Sequence, residues 1–555
     1  MRIIHFISSP RTLKLNCVSP SVINLLPVLL TSNTISFTAD FDLSDNKLTQ
    51  EFINTCSITL LNCPHLEEIY ISCNRKQKLS LNLEKLFKTL GKMKDLKVVV
   101  ISLYFDLSAE LVFNLLKTCK QLRVFELPLY KINPFTTQFA SEALLSAGAL
   151  NTIALDFEES SEQAIGLILR ELESHLHIRK ISSSIPWKGE APQDLIKYSQ
   201  IEFLKFNMDY KIDSKFADII VHAKNLRCLR IDQMKTKEIG LLVKVLIHNT
   251  TLESLTVGVI REWETYNEVA EFVKSNKKLK HLKLHGASPL LFKTEDTPSQ
   301  NSIFEALKLN NTLQTLKLKG GAVNIAVVVK SIAKNTTLNT LIFKDVRMQS
   351  NSPKITMNTL IHSCKKLKSL SIIHPELPSM LMKELDGVKE LFEIFNTSAS
   401  FSEITFVNSL LNENNADRPL TTKQSPLNIA MISNTKLQKI FLQNIRIPSY
   451  YIKMILKGLI YCKHIRELRL ENVGVNDDIA NKVTELIINN EVIEYLSLAE
   501  NLDMKIRGIL VLLSALRITK RLSKLDLRGL SLSTEDKGIL IIKLRKLISP
   551  TLIII

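Results

Sequence analysis

The chain has 555 residues, of which 45% are hydrophobic, and this content excludes a globally disordered protein. It contains 15 glycines and 17 prolines, too few for a low-complexity linker protein. The formal net charge is +17, from 72 Lys and Arg against 55 Asp and Glu, and such an excess favours an acidic protein, nucleic acid or an anionic membrane surface as the partner.

The N-terminal segment is less periodic than the rest of the chain. Leu13 with Leu15, and Ile35 with Phe37, fit degenerate strands, so we predict an atypical cap that shields the first core layer of a larger array. The apolar stretch Leu25–Leu30 is too short for a secretory signal, and no segment reaches the ~20 apolar residues of a membrane span. We therefore expect no transmembrane segment and a cytoplasmic location, either as a resident protein or as a secreted effector in another cell's cytosol.

One pattern, Leu-x-x-Leu-x-Leu, recurs along the chain and is clearest at Leu66, Ile69 and Ile71. Its successive copies are 23 to 36 residues apart, which is typical of a stack of small units rather than one globular core. The first residues of these copies predict about seventeen strands, at Leu66, Leu96, Leu122, Leu150, Ile201, Leu226, Leu252, Leu279, Leu313, Leu338, Leu367, Leu437, Ile465, Ile493 and Leu522, and more loosely at Ile178 and Phe401.

The segments after three of the copies have the spacing of a helix: those within 313–334 and 437–462, and the one that follows Leu470. After the copy that ends at Leu470, residues Ile479, Val483 and Leu486 recur at helical spacing and predict one buried helix face. Asp477 is the expected N-cap of this helix. Each unit is therefore predicted as a βα pair, with the strands in a parallel inner sheet and the helices in an outer layer joined by right-handed crossovers.

Three segments interrupt this regularity. Residues 182–192 hold a broken copy, and residues 288–299 and 412–426 are polar, proline-bearing stretches that predict surface loops. The predicted organisation is an N-terminal cap with degenerate repeats at 1–60, a repeat solenoid at 61–400, an irregular repeat with an exposed loop at 401–436, and regular repeats with a C-terminal cap at 437–555.

Three helix ends carry a common tag, Asn249-Thr-Thr-Leu, Asn310-Asn-Thr-Leu and Asn335-Thr-Thr-Leu, and the last four copies are spaced 28, 28 and 29 residues apart. With these features the chain resembles the leucine-rich repeat superfamily and, within it, the ribonuclease-inhibitor-like subtype, over about residues 66–530. The resemblance implies an α/β solenoid, a horseshoe or arc of about seventeen repeats with a parallel inner β-sheet and outer helices. The tags also match a glycosylation acceptor, but at a helix-to-strand turn we expect them to be structural.

No motif for catalysis or cofactor binding is found in the sequence. The one Gly-Lys pair, Gly91-Lys92, is preceded by Leu86 where a phosphate-binding loop needs glycine. The eight cysteines are dispersed without a Cys-x-x-Cys pair, which predicts reduced thiols and no zinc site. His281 and His285 share one strand face, but the ammonium of Lys283 between them would repel a cation. We therefore predict no cofactor, no metal and no enzymatic activity.

The concave face of the predicted sheet is the candidate partner site, because alternate strand residues point outward there. Its N-terminal third is apolar and acidic, its middle is basic, and its C-terminal end mixes both charge signs with aromatics. Lysines stacked on adjacent strands repel one another, and an acidic ligand would relieve that repulsion. The candidate partner-binding residues are Tyr70, Val98, Val100, Arg230, His281, Lys283, His285, Lys317, Lys319, Lys344, Phe441, Arg469 and Tyr495.

These features predict a non-catalytic scaffold that binds another protein, with an acidic surface, on its concave face. Direct nucleic-acid binding is disfavoured, since the aromatic side chains on which bases stack make up 6% of the chain. The family resemblance leaves two alternatives. One is a GTPase-activating regulator of the Ran type, although the last part of this chain, from Lys537 to Lys546 and on to Ile555, is not the acidic tail that those proteins carry after the repeats. The other is a substrate receptor of a ubiquitin ligase, although residues 19–30 show no clear adaptor-binding box.

Overall fold

The computed structural model divides the chain into two compact units, unit 1 (Met1–Val259) and unit 2 (Ile260–Ile555). The predicted loop at 412–426 and most of the loop at 288–299 lie outside the described residues, and the four segments predicted from sequence stay a prediction. The structure describes residues 12–16, 23, 26–41, 46–73, 82–102, 109–129, 146–157, 179–186, 201–207, 220, 223–231, 236–288, 299–349, 359–360, 363–364, 367–375, 401–407, 436–445, 447, 449–519, 521–545 and 552–554.

The described part of unit 1 is a ladder of parallel strands, each paired with the next strand in the chain. The strands are β1 (Thr12–Asn16), β2 (Ser36–Phe41), β3 (Glu68–Cys73), β4 (Val98–Ser102), β5 (Val124–Leu129), β6 (Thr152–Phe157), β7 (Lys180–Pro186), β8 (Phe203–Asn207), β9 (Cys228–Ile231) and β10 (Ser254–Ile260). The helices are α1 (Leu26–Leu29), α2 (Asn46–Thr59), α3 (Glu84–Leu90), α4 (Ala109–Thr118) and α5 (Thr236–Leu246), with a 3₁₀ turn at Leu60–Asn62.

Unit 2 repeats this organisation. Its strands are β11 (His281–Gly286), β12 (Thr315–Lys319), β13 (Ala322–Asn324), β14 (Thr340–Lys344), β15 (Arg347–Gln349), β16 (Ser369–Ile373), β17 (Glu403–Val407), β18 (Lys439–Gln443), β19 (Glu467–Glu471), β20 (Tyr495–Ser497), β21 (Lys524–Asp526) and β22 (Leu552–Ile554). Its helices are α6 (Trp263–Ser275), α7 (Asn301–Leu307), α8 (Ile325–Lys334), α9 (Ser449–Ile460), α10 (Asp477–Asn489), α11 (Ile506–Ala515) and α12 (Thr534–Arg545). The short strands β13 and β15 pair with each other, and the other ten strands form one parallel ladder in chain order.

Burial alternates along the strands because successive side chains point to opposite faces of a sheet. In β12, with the sequence TLKLK, both leucines are buried, whereas the threonine and the lysines are partly or fully exposed. The helices supply the other wall of the core: the rings of Phe304 in α7 and Phe343 in β14 stack with their centroids 6.1 Å apart. The described residues of each unit therefore form a mixed α/β array with a large parallel sheet.

A buried asparagine closes several of the helix-to-strand turns. The Nδ2 of Asn335 donates to the carbonyl oxygens of Leu307 (2.7 Å) and Asn310 (2.9 Å) in the preceding repeat. Its Oδ1 accepts the backbone N–H groups of Thr337 (3.0 Å) and Leu338 (2.8 Å). The same turn is built around Asn249, Asn310 and Asn490.

These asparagines are buried and use both ends of the amide group to join neighbouring repeats. The prediction that the asparagine tags are structural is confirmed, and a glycan has no access to the amide nitrogen. Cysteine takes the same position in other repeats: the Cys119 thiol lies 3.5 Å from the carbonyl oxygen of Leu90 and 3.7 Å from that of Met93. Burial raises the pKa of Cys119, so this side chain stays a neutral thiol.

The strands follow the leucine pattern closely. All seventeen predicted copies lead into strands, namely β3 to β12, β14 and β16 to β21, and β1 and β2 lie where degenerate strands were predicted. The structure adds β22 and the short pair of β13 and β15. The pairing of β7 with β8 shifts its register between Ser182 and Pro186, inside the segment predicted as a broken copy.

The N-cap of α10 differs from the prediction. Asn476 caps this helix, because its Oδ1 accepts the backbone N–H of Ile479 at 3.0 Å. The Asp477 carboxylate instead accepts the backbone N–H groups of Lys505 (2.7 Å) and Gly508 (3.1 Å) at the start of α11. The prediction of Asp477 as the cap of its own helix is therefore wrong. The residue before it already occupies the cap geometry, and Asp477 caps the next helix of the stack.

Candidate partner-binding site

Six basic side chains share the exposed strand face of β11, β12 and β14. The strand register pairs Lys283 with Lys317, His285 with Lys319, and Lys319 in turn with Lys344. Neighbouring strands lie ~4.8 Å apart, so these side chains leave the sheet side by side. We call this group the basic zone, and its members are His281, Lys283, His285, Lys317, Lys319 and Lys344.

Three members of the basic zone, Lys317, Lys319 and Lys344, are exposed. No carboxylate of the described residues lies within 4 Å of their ammonium groups. The next strand of the ladder, β16, continues the same two rows with a serine and an isoleucine, which carry no charge. Within the described residues, the ammonium groups of Lys317, Lys319 and Lys344 are therefore not paired with a carboxylate.

Charged side chains on β18 to β21 are instead partnered within the sheet. Arg469 donates from Nε to Glu467 at 2.6 Å on its own strand. The guanidinium carbon of Arg469 also lies 5.3 Å from the ring centroid of Phe441 and 4.8 Å from that of Tyr495. The ammonium of Lys524 lies 4.2 Å from the Tyr495 centroid. The two cations and two rings form a continuous cation–π stack, a contact of ~0.5–1 kcal/mol each at exposed sites.

Two buried carboxylates belong to the same cluster. Asp526 is 0% exposed and accepts from Arg528 Nη2 at 2.7 Å and from the Tyr495 hydroxyl at 3.4 Å. Glu471 is 8% exposed and accepts from the Ser497 hydroxyl at 2.7 Å. We call this cluster the aromatic–ionic network, and its members are Phe441, Glu467, Arg469, Glu471, Tyr495, Ser497, Lys524, Asp526 and Arg528.

Burial sets the acid–base behaviour of the aromatic–ionic network. It raises the pKa of Glu471 because a carboxylate loses hydration there, and the Ser497 hydrogen bond offsets only part of that increase. Burial likewise raises the pKa of the Tyr495 hydroxyl, which stays protonated and can donate to Asp526. These groups satisfy one another, so their contacts stabilise the sheet.

The apolar anchors predicted in unit 1 lie on neighbouring strands. Tyr70 is in register with Val100, and Val98 lies on the same strand as Val100, two residues away. All three side chains are partly exposed. The two outward rows, in the order β3, β4 and β5, are Glu68–Val98–Val124 and Tyr70–Val100–Glu126.

Arg230 is the one predicted basic residue that lies in unit 1. It is in register with Lys205 on β8 and with Thr256 on β10. It is therefore not a member of the basic zone, which is defined within unit 2. Ser497 was not predicted as a site residue. Its hydroxyl donates to Glu471, which is 26 residues earlier in the chain, and this contact depends on the register between the two strands.

No group of three or more His, Cys, Asp or Glu side chains is arranged to hold a metal ion within the described residues. In the described ranges, no helix has the length and apolar character needed to cross a membrane.

No protein-family model and no curated protein matches the chain. Among solved structures, it is similar to the crystal structure of a TLR13–ssRNA13 complex, with a TM-score of 0.39 and 13% identity over 95% of this chain and 79% of that one. It is also similar to the Rad7–Elc1 complex in yeast (TM-score 0.36, 12% identity, 82% and 85% covered) and to leiomodin-1 actin-binding site 2 (0.19, 18%, 24% and 73%). These TM-scores are too low to assign a family, a partner or an activity.

Proposed function

We propose that the chain is a non-catalytic leucine-rich repeat scaffold, arc-shaped and of the ribonuclease-inhibitor-like type, that binds another protein in the cytosol. The partner lies on the exposed strand face, and its acidic surface meets the basic zone. The observation that carries the proposal is the set of exposed lysines, Lys317, Lys319 and Lys344, which lie on adjacent strands with no carboxylate of the described residues in ion-pair range.

Repulsion between the lysines of the basic zone favours the binding of an acidic ligand. Like charges on directly opposed strand positions destabilise a sheet, and an acidic ligand removes that cost when it binds. The same charge attracts an acidic partner over a distance of about one Debye length, ~8 Å at physiological salt, so association should weaken as salt rises.

The neighbouring side chains favour a protein over a nucleic acid. The outward positions of β11, β12 and β14 hold lysine, histidine, threonine and isoleucine, with no Phe, Tyr or Trp on which a base could stack. The partly exposed rings of Phe441 and Tyr495 lie on β18 and β20 and already contact Arg469.

Affinity capture with the full-length chain, followed by crosslink mapping, tests this function. We expect a captured protein whose crosslinks fall on β11, β12 and β14, and we expect the triple variant Lys317→Glu, Lys319→Glu and Lys344→Glu to lose it. The matched control reverses three exposed lysines on helices of the same unit, Lys330→Glu, Lys457→Glu and Lys543→Glu, with an equal change in net charge.

The two triple variants separate a specific surface from bulk charge. Equal loss in both variants would mean that net charge alone drives capture. Capture that persists in the strand-face variant would remove the basic zone as the contact. Thermal unfolding of both variants checks that the sheet is intact, because exposed substitutions of this kind usually change stability by less than ~0.5 kcal/mol.

A further inference from the structure

A second surface, in unit 1, has the opposite chemistry to the basic zone. Its centre is apolar: Val98 and Val100 occupy adjacent outward positions of β4, between Tyr70 on β3 and Val124 on β5. All four side chains are partly exposed. We call these four residues the valine patch. Valine has few rotamers and tyrosine has two rotatable bonds before its hydroxyl, so the patch loses little entropy when a ligand covers it.

Two carboxylates flank the valine patch at diagonally opposite corners. Glu68 is in register with Val98, and Glu126 is in register with Val100. Glu68 is held in place by the Ser36 hydroxyl, which donates to its Oε2 at 3.0 Å. Their negative field reaches the ring between them: burial raises the pKa of Tyr70, and the charges of Glu68 and Glu126 raise it further.

We propose that the valine patch is a docking surface for a protein segment that carries a large apolar side chain next to a lysine or arginine. The apolar side chain covers Val98 and Val100, and the cation lies against Glu68 or Glu126. Strands β3 and β5 are each ~4.8 Å from β4, so a lysine or arginine next to the apolar anchor reaches either carboxylate. Within the described residues, the outward positions of β3, β4 and β5 carry two carboxylates and no lysine or arginine, and this proposal does not depend on the basic zone.

Selection of a random-peptide display library on the full-length chain tests the proposal. We expect enrichment of sequences with Leu, Ile, Met or Phe beside Lys or Arg. The variant Val100→Thr, which keeps the side-chain volume and adds a hydroxyl, should weaken the selected peptides roughly 10-fold, because the covered hydroxyl loses its hydration without gaining a partner. The double variant Glu68→Gln and Glu126→Gln should remove the preference for Lys and Arg and reduce the salt dependence of binding.

Controls distinguish this surface from the one in unit 2. The triple Lys→Glu variant of the basic zone should still select the apolar and basic peptides, whereas acidic peptides bound to the basic zone of the parent chain should be lost. With this triple variant as the target, acidic peptides, uncharged apolar peptides or no enriched sequence would each overturn the proposal, as would peptides whose binding is unchanged in the Glu68 and Glu126 double variant. If Val100→Thr loses the fold in thermal unfolding, the two glutamine substitutions alone decide, because both replace partly exposed side chains of equal size.

Discussion

The basic zone and the aromatic–ionic network use the same outward positions of one sheet, yet their charges are arranged in opposite ways. In the network, Arg469 is paired with Glu467 and Arg528 with Asp526. In the basic zone, Lys319 lies beside other basic side chains and has no carboxylate of the described residues in range. A strand position therefore does not determine the role of its side chain; the cross-strand neighbours do.

This difference separates stability from binding. A charge that is buried and hydrogen-bonded leaves an unsatisfied partner behind when it is removed, so its loss lowers stability. A charge that is exposed and surrounded by like charges can be removed without harm to the fold, and its loss should appear in binding instead. Substitutions in the two regions should therefore give effects of different kind.

The largest loss of stability is expected at the buried asparagine turns. One such turn precedes β14 of the basic zone and another precedes β20 of the aromatic–ionic network, so the two regions can be compared directly. Asn335 closes the turn before β14, and Asn490 closes the turn before β20, each with two donated and two accepted backbone hydrogen bonds. Alanine at either position leaves backbone groups unsatisfied, and we expect a loss of about 3 kcal/mol in the free energy of local unfolding for each.

Hydrogen exchange of β14 and of β20 measures the two losses separately, because repeats are stabilised mainly by their immediate neighbours. The control is Asn489→Ala, which replaces an exposed asparagine beside Asn490. Clearly unequal losses for Asn335→Ala and Asn490→Ala would show that the two regions differ in their scaffold and not only in their exposed charge.

The second-largest effect is expected for Asp526 in the aromatic–ionic network. Asp526→Ala removes the acceptor of the Arg528 guanidinium and of the Tyr495 hydroxyl. We expect the free energy of local unfolding at β20 and β21 to fall by about 2 kcal/mol, the scale of a charge-assisted hydrogen bond. Lys319→Ala, on the outward face of β12, should change the free energy of local unfolding at β12 and β14 by less than ~0.5 kcal/mol. Similar losses for both variants would contradict the distinction drawn between the two regions.

The sequence predicted the scaffold well because its signals are local and repeated. Leucines at fixed spacing predicted the strands, and alternation along each strand predicted which side chains point outward. The recurring asparagine before the strand predicted a structural turn, which the contacts of Asn335 confirm. These features depend on residues a few positions apart, so a single repeat contains the whole signal.

The network could not be predicted because it depends on pairing between repeats. Ser497 and Glu471 are 26 residues apart, and Tyr495 and Asp526 are 31 apart. Their contact requires the exact register of successive strands, and a shift of one position would place each side chain on the other face. The N-cap prediction for Asp477 was wrong for the same reason, because its carboxylate accepts the backbone N–H of Lys505 in the next repeat.

A smaller effect is expected on the pH dependence of stability, and it arises from Glu471 in the aromatic–ionic network. The pKa of Glu471 is raised in the folded state, so the folded chain holds this proton to a higher pH than the unfolded chain does. Its stabilising contribution is therefore complete below the unfolded pKa and is lost as pH rises through the folded pKa. Glu471→Gln keeps the acceptor for Ser497 and removes the titration. We expect local unfolding at β19 and β20 to depend less on pH from the acid range to neutrality.

The exposed Asn489→Ala variant, which removes no titratable group, is the control for this titration and should leave the pH dependence unchanged. An increase of stability with pH that disappears in Glu471→Gln would have the wrong sign and would mean that the folded state favours the Glu471 carboxylate. Substitutions in the basic zone should not change the pH dependence of local unfolding at β19 and β20.

The smallest effect on stability is expected for Lys319 in the basic zone. Lys319 lies between His285 and Lys344 on neighbouring strands, so Lys319→Gln should relieve repulsion and raise the free energy of unfolding by ~0.2–0.5 kcal/mol. Thermal unfolding at low salt should show the gain, and high salt should erase it by screening. Lys330→Gln removes an exposed lysine from α8 instead of the strand face. An equal gain in both variants would attribute the effect to net charge, whereas a gain confined to Lys319→Gln requires the strand register that brings the lysines together.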